Sequence, residues 1–471
     1  MMKNNLEEIA NWKIDATHKL NEHYFYKHKI VDNVLSGDSS LIIGRKGTGK
    51  TALALHLVDK PQHDKFTAYI DFRDLRGAVI DLGATTELDG INQWITIWKA
   101  ILGQQIVTLM GSNASLSAAA NTDIQNFLSS SPLNRGAITE LKPNKVSTNV
   151  KIPYFEITRT TESDGHIDGR LWAIIDRQCR EIISNYVDKS KYLIVVDCVG
   201  DDVQTITKGY EQIVIGIIKA VIQMRTYFDD LDINIFPYVF LRDDIFRELI
   251  DPDASKWNDH AGYLSWGEHS LRDMLTHRIQ RACNLYPKVG LNEFSKSLSC
   301  ITDVKSIYDG KNNLDIFKWM WRRTHSRPRD FVRLMKIAAE HAITARHRKI
   351  LPKDFESAIK RYSEEFRDEL IHEMSSHLPI AKELISMLQQ INKNVISNNE
   401  FLETYDKTFK KSPSCPAAVD VLKKLYKYNV IGTQTRSRNM VTYSYTHAGS
   451  EFIEGRSLYI HPAINKGLLI Y

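Results

Sequence analysis

Residues 44–51 read Gly-Arg-Lys-Gly-Thr-Gly-Lys-Thr, between the apolar run Leu41-Ile42-Ile43 and the helix-forming Ala52-Leu53-Ala54-Leu55. A strand, a glycine-rich turn and a helix start in this order suit one chemistry, the holding of a phosphate chain. Gly44, Gly47 and Gly49 let the backbone bend so that successive N–H groups converge on an anion. The helix beginning near Lys50 adds the positive end of its dipole. The Lys50 ammonium has the length to reach β- and γ-phosphates, and the Thr51 hydroxyl can ligate Mg²⁺. Gly44, Arg45, Lys46, Gly47, Thr48, Gly49, Lys50 and Thr51 are therefore the expected site for ATP with Mg²⁺.

A phosphate-bound cation calls for a carboxylate nearby. Lys191-Tyr192-Leu193-Ile194-Val195-Val196-Asp197 is a continuous apolar run ending in one. Such a run suits a parallel strand buried on both faces. Open α/β sheets bind ligands at the carboxyl ends of their strands. Asp197 thus stands at the Walker B position, where it would hold Mg²⁺ through water. Asp201 and Asp202 follow within one loop; either could polarise the attacking water, or cap the next helix. A second apolar strand, Asn234 to Leu241, ends at Arg242, whose guanidinium would face the γ-phosphate or pair with Asp243 or Asp244. Arg327-Pro328-Arg329-Asp330 opens a helix through Ala345, with Pro328 suited to its first turn. Arg329 could swing onto a nucleotide from that helix, or serve as a structural ion pair.

The elements that must position these groups follow from periodicity. Residues 5–40 read as helical, and Lys65 to Phe72 as a strand. Trp94, Trp98, Ile101 and Leu102 lie at helical spacing in a helix reaching Met110. Ser112 to Asp164, rich in Ser, Asn and Thr, reads as an insertion or loop region with short strands near Val150 and Tyr154. Leu171 to Tyr186 and Thr207 to Tyr227 read as helices, and from Trp266 onward the chain is mostly helical.

The C-terminal block has its own order. Lys382 to Ile391, Asn398 to Tyr405 and Ala417 to Tyr428 read as three short helices. Strand-like runs follow at Val430, at Met440 to Tyr445 and at Leu458 to Ile460. Three helices and then a β-hairpin is the order of a winged helix-turn-helix. Arg436 and Arg438 would sit at the wing tip, and Lys423, Lys424 and Lys427 on the third helix. From Pro379 to the end there are 12 Lys+Arg against 7 Asp+Glu, so the whole net charge of +5 lies in this segment. That suits phosphate contacts on DNA, or equally a solvated face.

Other chemistries are excluded. His372 and His377 are five residues apart, on different helix faces, so no zincin pair forms. The five cysteines are scattered and contain no CxxC, which suits a reducing compartment. The longest apolar stretch, Ile213 to Ile222, is interrupted by Lys219 and too short to span a bilayer. The first twenty residues are polar and carry acidic side chains, unlike a leader peptide. The expectation is a cytoplasmic protein with no membrane partner.

The loop at 44–51, the strand ending in Asp197, Phe240-Leu241-Arg242-Asp243-Asp244-Ile245-Phe246 and Arg327-Pro328-Arg329-Asp330 occur in one order. This order resembles the bacterial STAND/KAP-type P-loop ATPases, within the ASCE group that includes AAA+ proteins. It is especially similar to the Sll1717-like P-loop ATPase family. The resemblance implies an α/β P-loop core with a parallel sheet over residues 1–265, carrying an insertion at about 75–165. A helical lid over 266–375 and a winged-helix domain over 376–471 would follow. It makes Lys50 and Thr51 the Walker A pair, Asp197 the Walker B carboxylate, Arg242 a sensor-1 arginine and Arg329 a sensor-2-like arginine. Many relatives carry an acidic residue directly after the Walker B carboxylate or three residues on; here those positions are Cys198 and Gly200. The resemblance then implies a slow regulatory switch ATPase, acting through self-assembly or a separately encoded effector, in a family often found in antiphage defence loci. Two alternatives stay open: a DNA-binding initiator- or loader-like ATPase using the winged helix, and a nucleotide-binding scaffold that never hydrolyses.

Overall fold

The computed structural model describes residues 5–17, 23–59, 63–72, 90–131, 169–197, 210–285, 294–309, 312–375, 377–409, 415–434, 441–446 and 450–470. They fall into two compact units, one within residues 16–200 and 206–265, the other within 1–15, 201–205 and 266–471.

The unit carrying the glycine-rich loop is built on five parallel strands: β1 (Leu41–Gly44), β2 (Lys65–Asp71), β3 (Lys191–Asp197), β4 (Ile235–Arg242) and β5 (Ala261–Tyr263). Their order is β2-β3-β4-β1-β5, so β4 lies between the loop strand and the strand of Asp197. All four residues of β1 and six of seven in β3 are buried. This is the burial that their unbroken apolar runs predict for central parallel strands.

The first helix, α1 (Asn5–Ala10), belongs to the other unit. Around the sheet stand α2 (Ile30–Leu35), α3 (Lys50–Asp59), α4 (Ile91–Gly111), α5 (Ala118–Ser130), α6 (Gly169–Tyr186), α7 (Tyr210–Asp230), α8 (Asp243–Glu248) and α9 (Ala254–Trp257). Val31 and Val34 of α2 and Leu53, Ala54 and Leu57 of α3 pack with Ile42, Val195, Tyr238 and Phe240 in one buried cluster. The alternate strand residues Ile194 and Val196 are buried as well, and α4 and α7 pack against β2, β3 and β4. Trp98 of α4 donates its indole N–H to the Ile213 carbonyl of α7 at 3.1 Å.

Two expectations need correction. The Ser-rich stretch after 112 contains α5, because Ile124, Phe127 and Leu128 form a buried helical stripe. Ser117 caps that helix, accepting the Ala120 N–H at 3.1 Å. With α4, this part of the expected insertion is a packed layer of the core. The strands expected near Val150 and Tyr154 lie outside the described residues. Residues 5–40 are not one helical segment, and the described N-terminal residues through Asp15 join the second unit, where Leu6, Ile9 and Trp12 are buried.

That second unit contains α10 (Glu268–Ala282), α11 (Phe294–Leu298), the hairpin β6 (Ser306–Asp309) and β7 (Asn312–Asp315), α12 (Ile316–Arg322), α13 (Pro328–Thr344) and α14 (Pro352–Ser375). After these come α15 (Ala381–Ile391), β8 (Val395–Ile396), α16 (Asn398–Phe409), α17 (Ala418–Lys427), β9 (Ile431–Gln434), β10 (Val441–Thr442) and β11 (Leu458–Ile460). These last strands form an antiparallel sheet, β10-β9-β11-β8, in which β8 was not anticipated. The end of the chain docks on α14: the Gly467 N–H donates to Ser363 Oγ at 2.8 Å and Arg367 donates to the Gly467 carbonyl at 2.9 Å.

A buried ion cluster ties α13 to α14. Arg327 is 3% exposed and holds Asp330 with two bonds of 2.9 Å. Arg333 reaches Glu369 at 2.7 Å, and Arg327 approaches Glu373 at 3.8 Å. Burial alone would push the Glu369 carboxyl up, but the charges of Arg327, Arg333 and Arg329 overcome it and pull it down to about 2. A depressed carboxyl stabilises the fold above its unfolded value near 4.5 and loses that contribution as pH falls through about 2. Glu369→Gln is therefore expected to cost roughly 3 kcal/mol at neutral pH. It should also flatten the loss of stability on the acid side, as read by denaturant unfolding across that pH range; an unchanged acid limb would contradict the assignment.

Candidate nucleotide site

Three buried strands end side by side. Gly44 aligns with Arg242, and Asp197 aligns with Phe240, two residues before Arg242. The parallel register puts Gly44, Arg242 and Asp197 on one sheet face, the face covered by α3, and at its carboxyl edge. The glycine-rich loop turns over that edge into α3.

The loop has the shape its glycines predict. Gly47 and Gly49 have φ of +80° and +95°, where side-chain-bearing residues are strained. A Cβ built on Gly49 would meet nothing within 4 Å, so the space over this part of the loop is open. Thr48 is buried and its hydroxyl donates to the Arg45 carbonyl at 2.8 Å. Lys50, 3% exposed, donates to the carbonyls of Gly44 at 2.7 Å and Arg45 at 3.0 Å. A buried ammonium folded onto its own loop, with open space over Gly49 and a helix start at Lys50, fits a phosphate chain. Arg45, Lys46 and Thr51 are half-buried on the same turn. Thr51, in the first turn of α3, and Asp197 are the residues that would hold Mg²⁺.

Asp197 is 2% exposed, and the Tyr69 hydroxyl donates to its Oδ2 at 3.1 Å. Asp71, at the end of β2, aligns directly with Asp197. Neither Tyr69 nor Asp71 was singled out from the sequence. The available signal was the strand reading of 65–72, whose end must lie level with that of its neighbour.

Arg242 is committed to Asp244, with Nε to Oδ1 at 2.9 Å and a second bond to Oδ2 at 2.5 Å. Burial raises the Asp244 carboxyl, but the hydrogen bond and charge of Arg242, together with the Lys50 charge, hold it below its usual range. Asp244 thus joins the two cations of the site, the structural pairing that stood as the alternative for Arg242.

Other candidates lie elsewhere. Asp201 and Asp202 lie outside the described residues. Arg329 is in the second unit, where it pairs with Asp15 at 2.7 Å and Glu369 at 3.5 Å. On α17, Lys424 donates to the His377 carbonyl, a bond that occupies an ammonium expected to face DNA. Lys423 is exposed and lies 3.8 Å from Asp420. Arg436 and Arg438 lie outside the described residues. Among the described residues, no cluster of His, Cys, Asp and Glu is arranged as a metal site, and no helix is long and apolar enough to cross a membrane.

Residues 269–371 match the FunZ-associated C-terminal helical domain. The chain is 25% identical over 463 residues to an 80.3 kDa protein attributed to transposon gamma-delta of Escherichia coli (strain K12). That alignment covers 92% of this chain and 62% of the relative, so the chain spans about three-fifths of the relative's length. Among solved structures, the Aeropyrum pernix ORC1 protein in complex with DNA aligns at 13% identity and TM-score 0.36, covering 98% of this chain and 95% of that one. The Aeropyrum pernix ORC2 protein aligns at 13% and 0.38, covering 96% and 92%. The Thermotoga maritima RuvB Holliday junction branch migration motor aligns at 12% and 0.31, covering 96% of each chain.

Two substitutions separate binding from structure. Lys50→Ala is expected to cost the unliganded protein about 1–2 kcal/mol, the loss of its bonds to the Gly44 and Arg45 carbonyls. ATP affinity should fall by about tenfold or more, which calorimetry reads; a melting collapse without nucleotide would make Lys50 structural. Arg242→Ala strands Asp244 and should cost about 1–3 kcal/mol in denaturant unfolding. Affinity for a non-hydrolysable ATP analogue should persist while turnover falls.

Proposed function

We propose that this chain binds Mg-ATP in the 44–51 loop and hydrolyses it slowly, as a nucleotide-controlled switch. One observation carries the reading: the buried Lys50 ammonium lies folded into a glycine turn with open space over Gly49. In this reading a bound Mg²⁺ would supply charge neutralisation to the phosphates. Backbone N–H groups of the loop would orient the phosphates, Lys50 would exchange carbonyl partners for phosphate oxygens, and Thr51 and Asp197 would hold the cation. Arg242 reads the terminal phosphate once its pairing with Asp244 is rearranged. Asp201 or Asp202 polarises the attacking water. The non-acidic Cys198 and Gly200 beside Asp197 support slow turnover, which favours a state that persists over a motor that cycles.

A DNA-binding ATPase is the second reading. The order α15, α16, α17 and then β9, with β8 and β11 completing the sheet, supports a winged helix. Of its five basic candidates, Lys423 alone is described and exposed.

Calorimetry of the purified chain should register Mg²⁺-dependent uptake of ATP, and phosphate release should be slow and abolished by Asp197→Asn. No uptake of ATP by folded protein would end the nucleotide reading. Mass measurement with and without a non-hydrolysable analogue separates self-assembly from signalling through another protein. Duplex affinity that falls steeply with salt and with Lys423→Ala would favour the second reading.

A further inference from the structure

The bond from Tyr69 to Asp197 joins the edge strand of the sheet to the carboxylate assigned to the cation. Tyr69 aligns with Val195 and Asp71 with Asp197, so Tyr69, Val195 and Asp197 share the face beneath α3. The Tyr69 ring packs against the cluster that contains Val195, Tyr238 and Phe240. Its position is therefore set by packing, and its hydroxyl is a fixed donor. Asp197 is almost wholly buried, and the direction of a buried carboxylate is set by its donors. A phenol suits this role because it occupies one lobe of the carboxylate without bringing a competing charge. Partners that orient a metal-holding carboxylate in this way are worth about 10–100-fold in metal affinity or activity.

We propose that Tyr69 is a positioning residue for Asp197, and that its hydroxyl sets the Mg²⁺ requirement of nucleotide binding. The proposal rests on the nucleotide reading above. It differs from a purely structural role in one respect. A structural bond would weaken nucleotide binding equally with and without the cation, whereas a positioning bond acts only when the cation is present.

The test is calorimetric titration of the full chain with a non-hydrolysable ATP analogue, across a Mg²⁺ series and in EDTA. Tyr69→Phe keeps the ring and removes the hydroxyl. It should leave affinity in EDTA unchanged and raise the Mg²⁺ midpoint about tenfold. Asp197→Asn should remove most of the Mg²⁺ dependence, and adding Tyr69→Phe to it should change nothing further. Thr67→Val controls for strand stability, since it deletes another β2 hydroxyl bond, from Thr67 to the Val58 carbonyl at 3.2 Å; it should leave the midpoint where it is. An unmoved midpoint in Tyr69→Phe overturns the proposal. So does an equal loss with and without Mg²⁺, an equal shift in Thr67→Val, or an independent effect in the Asp197→Asn background. Wild-type protein that takes up no analogue overturns the site reading and this role with it; wild-type uptake with an unaffected Tyr69→Phe overturns this role alone.

Discussion

A strand buried on both faces cannot carry a charge until it ends. This constraint places Asp197 and Arg242 at their strand ends. β1, β3 and β4 are enclosed along almost their whole length, so past the exposed Lys191 that opens β3 they carry no charge before Asp197 and Arg242. Desolvating an unpaired charge within those strands would cost several kcal/mol. At the carboxyl edge the cost is met by partners from the next turn or the next strand: Asp244 for Arg242, Tyr69 for Asp197, and loop carbonyls for Lys50. The site is therefore a consequence of sheet burial, with the loop supplying the open space.

The helical unit solves the same problem differently. Arg327, Arg333, Asp330 and Glu369 sit within α13 and α14 and at the start of α13, with no sheet edge to reach. They neutralise each other instead. Breaking any one member leaves another charge buried, which makes the cluster costly to disturb although its net contribution in the folded state is modest. Arg329 borders this cluster through Glu369 and reaches outward to Asp15. Both carboxylates that pair with Arg329 belong to its own unit, Glu369 enclosed and Asp15 exposed.

What was legible in the sequence follows the same physics. Glycine spacing, the apolar run into Asp197 and the apolar run into Arg242 are local signals, and the α/β core with its parallel sheet was readable from them. Pro328 marked the start of α13 because its ring suits a first turn. The pairings were not readable. Tyr69 and Asp197 are 128 residues apart in sequence, and nothing local to β2 says which strand lies beside it. α5 was missed because Ser, Asn and Thr were weighed as loop formers, while the buried Ile124, Phe127 and Leu128 that hold the helix show their purpose only against α4 and α6. The bond of Lys424 is equally illegible, because a carbonyl acceptor 47 residues away leaves no trace in composition.

The partners of the charged groups at the sheet edge also rank how readily each can move. Lys50 donates to the carbonyls of Gly44 and Arg45, and exchanging those two bonds for bonds to phosphate oxygens would bring the ammonium onto charged acceptors. Arg242 is held by a bidentate carboxylate pair that is mostly enclosed, where effective screening is weaker than in water. Giving up that pair costs more than giving up a carbonyl, and only a phosphate placed within its reach can offset the cost. A nucleotide engaging this edge would therefore be taken first by the loop and Lys50, and only then compete with Asp244 for Arg242. In the proposed function, an arginine released in that order would respond to the terminal phosphate, because a shorter phosphate chain would satisfy the loop without supplying the group that displaces Asp244. The proposed switch between triphosphate and diphosphate states would require that dependence, and the unequal strength of two sets of hydrogen bonds at neighbouring strand ends would supply it.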